Sequence, residues 1–298
     1  MEENIDTLVL SAGGMKCISI LGSLYYLIKN KIIDDSFKGI KTIYYTSGSS
    51  VFTLPLLLGF TIHTTIKIFK DIDYKLIANL QEDLSLDKLL KDLGLSSSKK
   101  YKYLLEVFLT KKGIKKDINL KEFYELNKIN INYCVVNITK DKYEMLNHIN
   151  SPDLSLLEAI SMACNIPILL KPIKYNGSLY IDAGLVETLN YKELINNPKS
   201  IGIDILTTNI SNNINHSKCK NNFKNIMEYI NYLYSIYGAR VCYKDLNNHI
   251  KIYIPGFGGD IEKFKDNVDE LINLGYKYTE NHFKNLRHID SETVSNED

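Results

Sequence analysis

Three short turns carry the groups with which this chain could do chemistry. Thr46-Ser47-Gly48-Ser49-Ser50 places serines on a tight turn between an apolar strand pattern and an apolar helix pattern. A serine on such a turn is pushed out of the backbone and, beside a base, becomes a nucleophile for acyl transfer. Ser47 occupies that place. Ser50 also has a glycine two residues earlier, but it starts the helix rather than the turn and ranks second. A G-x-S-x-G elbow would have glycine where Tyr45 and Ser49 stand, so on its own the turn reads equally as a plain polar connection. Asp182 ends an apolar run and precedes Ala183-Gly184, a small pair that lets another backbone or a substrate pass close to the carboxylate. An aspartate there is otherwise a turn former or helix cap. Ala12-Gly13-Gly14 lies where a strand gives way to a helix, so unpaired N–H groups and the positive end of the helix dipole converge on it. That nest suits an oxyanion or a phosphate. Met15-Lys16-Cys17 completes neither G-x-G-x-x-G nor a Walker A loop, which disfavours nucleotide binding.

The elements around these turns repeat one plan. Thr7-Leu8-Val9-Leu10 reads as a buried strand, and Ile18, Leu21, Leu24, Tyr25 and Ile28 follow helical spacing. Lys41 to Thr46 is a second strand, with an apolar helix from Val51 to Leu58 behind it; Pro55 is expected to remove a hydrogen bond and kink that helix. Repeated strand–turn–helix units point to a parallel sheet flanked by helices. From about Thr61 to Lys128 the pattern turns helical and lysine-rich, a helical insertion or lid with breaks at Gly94 to Ser98 and at Gly113. Strands resume at Ile131–Ile138 and Tyr143–His148, and a helix at Leu154–Ala163 is stopped by Pro167. Leu179–Ile181, Ile201–Leu206 and Ile250–Ile254 are further strands, and Phe223–Tyr243 and Ile261–Phe283 are long helices. Nothing resembles a linker or repeat. One α/β domain accounts for residues 5–290, with 61–128 as its insertion and 291–298 as a disordered tail.

Composition narrows the partners. A chain of 298 residues that is 45% apolar can bury a proper core, and its net charge of +1 with scattered lysines argues against nucleic acid, which needs a concentrated basic surface. The five cysteines are odd in number, widely spaced and without a CxxC pair, against a disulfide framework or structural zinc and for a reducing compartment. No carboxylate, histidine or cysteine spacing calls for a metal, and no cofactor is expected. The acidic start is unlike a signal peptide, and no apolar run approaches the roughly 18 residues of a membrane span. The expectation is a cytoplasmic protein whose membrane contact is peripheral.

Taken together, the three turns and their contexts resemble the patatin-like phospholipases, lipid acyl hydrolases with a Ser-Asp dyad. The family's G-G-G-x-(K/R)-G loop is matched by Ala12-Gly13-Gly14-Met15-Lys16-Cys17, and its following helix by Ile18 to Leu27. Its G-T-S-(A/V)-G-S elbow falls without a gap on Tyr45 to Ser50, which selects Ser47 over Ser50. Leu156 to Pro167 and Lys171 to Gly184 look like the approach to its Asp-Gly-(Gly/Ala) motif. The resemblance runs from Leu8 to Tyr191 and is nearest to viral and bacterial members. It implies a three-layer α/β/α sandwich with a mainly parallel central sheet. In it Ser47 is the nucleophile, Asp182 the base, and the N–H groups of Gly13, Gly14 and Met15 the oxyanion hole; Lys16 and Gly184 belong to the motifs. The substrate would be a phospholipid or lysophospholipid, cleaved without metal or histidine, in the cytoplasm of a host cell if the source is viral. Ala12, Cys17, Tyr45, Ser49 and Ala183 depart from the pattern. Alanine resists positive φ, and Tyr45 is expected to fill or reshape the mouth of the site. Two readings follow: a working hydrolase, or a pseudoenzyme that keeps the fold for lipid or protein binding.

Overall fold

A computed structural model describes residues 5–74, 94–96, 99–207, 246–254 and 261–294. In chain order the elements begin with β1 (Thr7–Leu10), a short 3-10 turn (Gly14–Ile18), α1 (Ser19–Lys29), β2 (Thr42–Thr46), α2 (Ser49–Leu57) and α3 (Ile62–Asp71). Then come β3 (Gly94–Ser96), α4 (Lys99–Lys111), α5 (Leu120–Asn127), β4 (Asn130–Asn137), β5 (Lys142–Leu146) and α6 (Leu156–Ala163). The chain continues through β6 (Ile168–Leu170), β7 (Ile173–Tyr175), β8 (Ser178–Asp182), α7 (Tyr191–Asn196), β9 (Ser200–Thr207), β10 (His249–Ile254) and α8 (Ile261–Val294).

The central sheet has eight strands in the order β10-β9-β1-β2-β4-β8-β7, with β5 also on β4. From β10 to β4 every pairing is parallel; β5, β8 and β7 join antiparallel. β1 lies between β2 and β9, and its last residue Leu10 is opposite both Tyr45 and Ile203. The loops leaving β1 and β2 therefore emerge side by side at the carboxyl ends of parallel strands, where open α/β sheets place their sites. β1 is buried on both faces. Its two-residue period sends Leu8 and Leu10 into the main core and Val9 into a smaller cluster with Leu189 and Leu194 on the opposite face, which explains its unbroken apolar run.

α1 is buried from Ser19 through Leu24, because it is sandwiched between the sheet and α8. The crossing is very close: a Cβ on Gly22 would lie 1.8 Å from the Ile272 carbonyl oxygen, and one on Gly275 would lie 1.8 Å from that of Ser19. Ser23 Oγ donates to Gly275 O at 3.2 Å across the same contact.

Several elements differ from the sequence reading. Gly94–Ser96, read as a break, pairs in parallel with β6. In the 61–128 stretch, Leu105, Phe108, Leu109, Ile118, Leu120 and Phe123 are buried in the main core, so the described helices of that stretch are built into the domain. Residues 75–93 lie outside the described residues, as does the helix expected at 223–243. α6 starts at Leu156 rather than Leu154 and ends at Ala163 as expected, and α8 runs on to Val294, past the domain boundary expected at 290. No helix among the described residues is long and apolar enough to cross a membrane.

Candidate active site

β2 delivers Ser47 into a left-handed backbone conformation, φ +60°, before α2 begins at Ser49. A non-glycine residue pays roughly 1–2 kcal/mol for that region, and in return its side chain leaves the line of strand and helix. Ser47 Oγ donates to Asp182 Oδ2 at 2.5 Å, joining residues 135 apart in sequence. The other carboxylate oxygen, Oδ1, accepts the Gly184 N–H at 2.7 Å. Asp182 closes β8 opposite Val135 of β4, next to Cys134, which lies opposite the last residue of β2, so the ends of β8 and β2 meet along β4. Ser47 and Asp182 are 5% and 4% exposed, so the pair sits in a dry setting. Burial pushes the Asp182 carboxyl up to about 6, against the opposing pull of the hydrogen bonds from Ser47 and Gly184.

The glycine loop lies against this pair. A Cβ on Gly48 would stand 2.5 Å from Gly14 O, and one on Gly184 would stand 2.8 Å from Ala12 Cβ and 3.8 Å from Ser47 Cβ. Gly14 has φ +56°, and neither Gly13 nor Gly14 donates its N–H to a protein acceptor among the described residues. Met15 follows on the 3-10 turn and packs partly against the core. Lys16 donates its own N–H to Gly13 O at 3.1 Å, closing the loop, and burial lowers its ammonium pKa. Ala12 is tied by its N–H to Thr188 O at 2.7 Å. The strand ends thus bring together Ser47, Asp182, Gly13, Gly14 and Gly184, the set read from the sequence.

Of the five departures, Tyr45 turns out differently from expectation and the other four are accommodated. Tyr45 does not approach the mouth: it is fully buried and stacks on Tyr133, ring centroids 5.8 Å apart at 21°, because the alternation of β2 puts residue 45 on the core face with Ile43, while Ser47 lies beyond the strand end and turns away through its left-handed backbone. Ala12 and Ala183 lie outside the positive-φ region, so neither is strained. Ser49 is buried and donates to Thr46 O at 2.9 Å, also reaching Leu10 O at 3.3 Å. Cys17 packs beneath Gly13, with Sγ 3.6 Å from Ser11 O, and burial holds its thiol well above its usual range. Ser50, the second candidate nucleophile, donates to Ser47 O at 2.8 Å and touches Cys164 Sγ at 3.4 Å, so it braces the turn.

Sequence reasoning did not single out Gly48. Its φ of −58° is ordinary; what excludes a side chain is the Gly14 carbonyl, an approach visible only when both loops are placed. Among the described residues no group of three or more His, Cys, Asp and Glu could hold a metal ion.

A patatin-like phospholipase family model matches residues 8–195, more than half of the chain and all of the elements just described up to α7. The chain belongs to the patatin-like phospholipase family. Among curated relatives, the probable lipid hydrolase 463L of Invertebrate iridescent virus 6 is 33% identical over 210 residues, 68% of this chain and 69% of that one. Protein R571 of Acanthamoeba polyphaga mimivirus is 26% identical over 276 residues, 90% and 88% of the two chains. Among solved structures, VipD from Legionella pneumophila superposes with a TM-score of 0.57 at 15% identity over 95% of this chain and 67% of its own, a likeness of fold. The family and its α/β sandwich are those expected from the three turns.

The raised pKa of this patatin-like site has a consequence for stability. With a carboxyl that ionises near 3.8 when unfolded and at about 6 when folded, the native state binds the extra proton between those values. Stability conferred by Asp182 is therefore present in acid and falls as pH rises from 4 through 6. Asp182→Asn keeps acceptor Oδ1 for Gly184 and removes the buried charge. It is expected to stabilise the protein at pH 7.5 by up to about 3 kcal/mol and to change little at pH 4, read from urea unfolding at the two pH values.

Proposed function

We propose that this family member is a lipid acyl hydrolase of the phospholipase A or lysophospholipase type, acting through Ser47 and Asp182. The observation that carries the reading is the 2.5 Å Ser47 Oγ–Asp182 Oδ2 hydrogen bond, made by a serine at φ +60° facing the Gly13–Gly14 loop. Ser47 Oγ attacks the ester carbonyl carbon as its proton passes to Asp182. The carbonyl oxygen becomes an oxyanion beside the N–H groups of Gly13, Gly14 and Met15. Collapse expels the lyso-lipid or glycerol alcohol, which takes the proton from Asp182, and leaves the fatty acid esterified to Ser47. Water then gives a proton to Asp182, attacks the acyl carbon, and releases the fatty acid as Ser47 recovers its proton. An aspartate near its ordinary pKa is a feeble base; one lifted to about 6 is matched to neutral pH.

The purified protein is expected to release fatty acid from phospholipid or lysophospholipid micelles and to react with a fluorophosphonate. Its kcat/KM should rise through an apparent pKa of about 6 to a plateau, because only the ionised aspartate accepts the proton. Absence of both turnover and labelling sinks the reading. The burial of Ser47 and Asp182 favours a second one, a lipid-binding protein with an idle dyad. Binding to phospholipid vesicles without turnover or labelling is its signature.

A further inference from the structure

We infer that Asn165 is a positioning residue for Asp182: it takes the place of a neighbouring strand at the end of β8 and holds the aspartate at the distance from Ser47 that the dyad requires. This inference rests on the Ser47–Asp182 reading above. β8 is held along one edge by β4, out to Asp182 itself. Along the other edge β7 pairs with it only from Ser178 to Tyr180. Backbone groups two residues apart on a strand face the same neighbour, so Tyr180, opposite Ile173 of β7, and Asp182 turn their N–H and C=O groups to the same side, and at Asp182 β7 has already ended. Asn165 meets both. Its carbonyl oxygen accepts the Asp182 N–H at 2.9 Å, and its side-chain Nδ2 lies 3.5 Å from Tyr180 O. The same Nδ2 donates to Lys171 O at 2.8 Å, closing the chain between α6 and β7 around it.

The placement is costly enough to need a reason. Asn165 is fully buried, and its Oδ1 finds no hydrogen-bond partner among the described residues. A buried amide that satisfies only its donor side is tolerated where the donors hold something in place. Here they hold Lys171 O and reach Tyr180 O, two residues from the dyad carboxylate, at the point where β7 runs out. Cys164, the preceding residue, touches Ser50, which is bonded in turn to Ser47 O, so this one dipeptide meets Asp182 directly and reaches Ser47 through Ser50. The titratable groups facing Asp182 are the thiols of Cys17, Cys134 and Cys164, each raised by burial and neutral near pH 7. They leave the aspartate's proton affinity to its burial and its hydrogen bonds.

The test uses the full chain with carboxyl-13C aspartate, the Asp182 resonance being assigned by its loss in Asp182→Asn. Asn165→Ala removes both volume and donors, whereas Asn165→Leu keeps the volume and removes the donors. In both, Asp182 is expected to titrate at least about one unit below wild type, because a released strand end admits water to the carboxyl. kcat on a soluble short-chain ester should fall at least about tenfold with KM within about twofold, and fluorophosphonate labelling should slow in parallel. Val268→Ala, a core truncation on α8, loosens the fold generally and should leave the titration at its wild-type position. A wild-type titration in folded Asn165→Leu overturns the inference, since the residue then acts by volume alone. The titration is readable without turnover, so an inactive wild type counts against the hydrolase reading and leaves the positioning result to be decided by the resonance.

Discussion

Ser47→Ala is expected to abolish fatty-acid release and fluorophosphonate labelling, with a loss of about 10⁴-fold or more in kcat, while Ser50→Ala keeps both within about tenfold. The asymmetry follows from where the two hydroxyls point. Ser47 Oγ is on the Asp182 carboxylate, and its removal deletes the atom that would carry the acyl group. Ser50 Oγ spends its proton on Ser47 O inside the turn, so its loss slackens the brace and leaves the nucleophile in place. Because Ser47 pays for a left-handed backbone, Ser47→Ala should stay folded but gain nothing there, as alanine is no freer at φ +60°. Equal loss of labelling in both variants would mean that the turn, rather than Ser47, is what the probe reads.

The second large effect is structural. Gly275→Ala is expected to cost at least about 3 kcal/mol, lowering Tm by roughly 6–12 °C for a domain of this size. Its new Cβ would sit 1.8 Å from Ser19 O, a backbone atom within a buried helix, so no rotamer change relieves the clash and α8 must move off α1. Asn273→Ala, an exposed change on the same helix, should leave Tm within about 2 °C. Gly22→Ala repeats the clash from the other side, against Ile272 O. α1 follows directly on the glycine loop, so retreat of α8 should also reduce turnover at temperatures where the variant is still folded. Thermal melts and ester hydrolysis at 15 °C measure the two parts separately.

The α1–α8 crossing also marks the limit of what was legible. Gly22 and Gly275 are 253 positions apart, and neither lies on a turn, so no local pattern announces that each is small because of the other. The site was legible because its parts are local: a glycine pair after a strand, a serine on a sharp turn and an aspartate before Ala-Gly each carry their geometry in adjacent residues. The strand–turn–helix repeats gave the parallel half of the sheet for the same reason. β6 and β7 are three residues each, too short for a two-residue alternation to declare itself, and β3 hid behind a glycine that reads as a break. Asn165 was invisible in another way, since an asparagine's partners are carbonyls, which every residue has. Tyr45 was misjudged because its bulk was weighed against the glycine of the motif; the alternation of β2 decides which face that bulk occupies.

A glycine at position 45 would not open the site, because the Tyr133 ring that stacks on Tyr45 would be left beside an empty volume in the core. The two rings are coupled: loss of either removes the stacking partner of the other. The bulk at position 45 is therefore absorbed on the core side of the sheet by a paired aromatic layer, and the turn that carries Ser47 is left with the shape its own backbone sets.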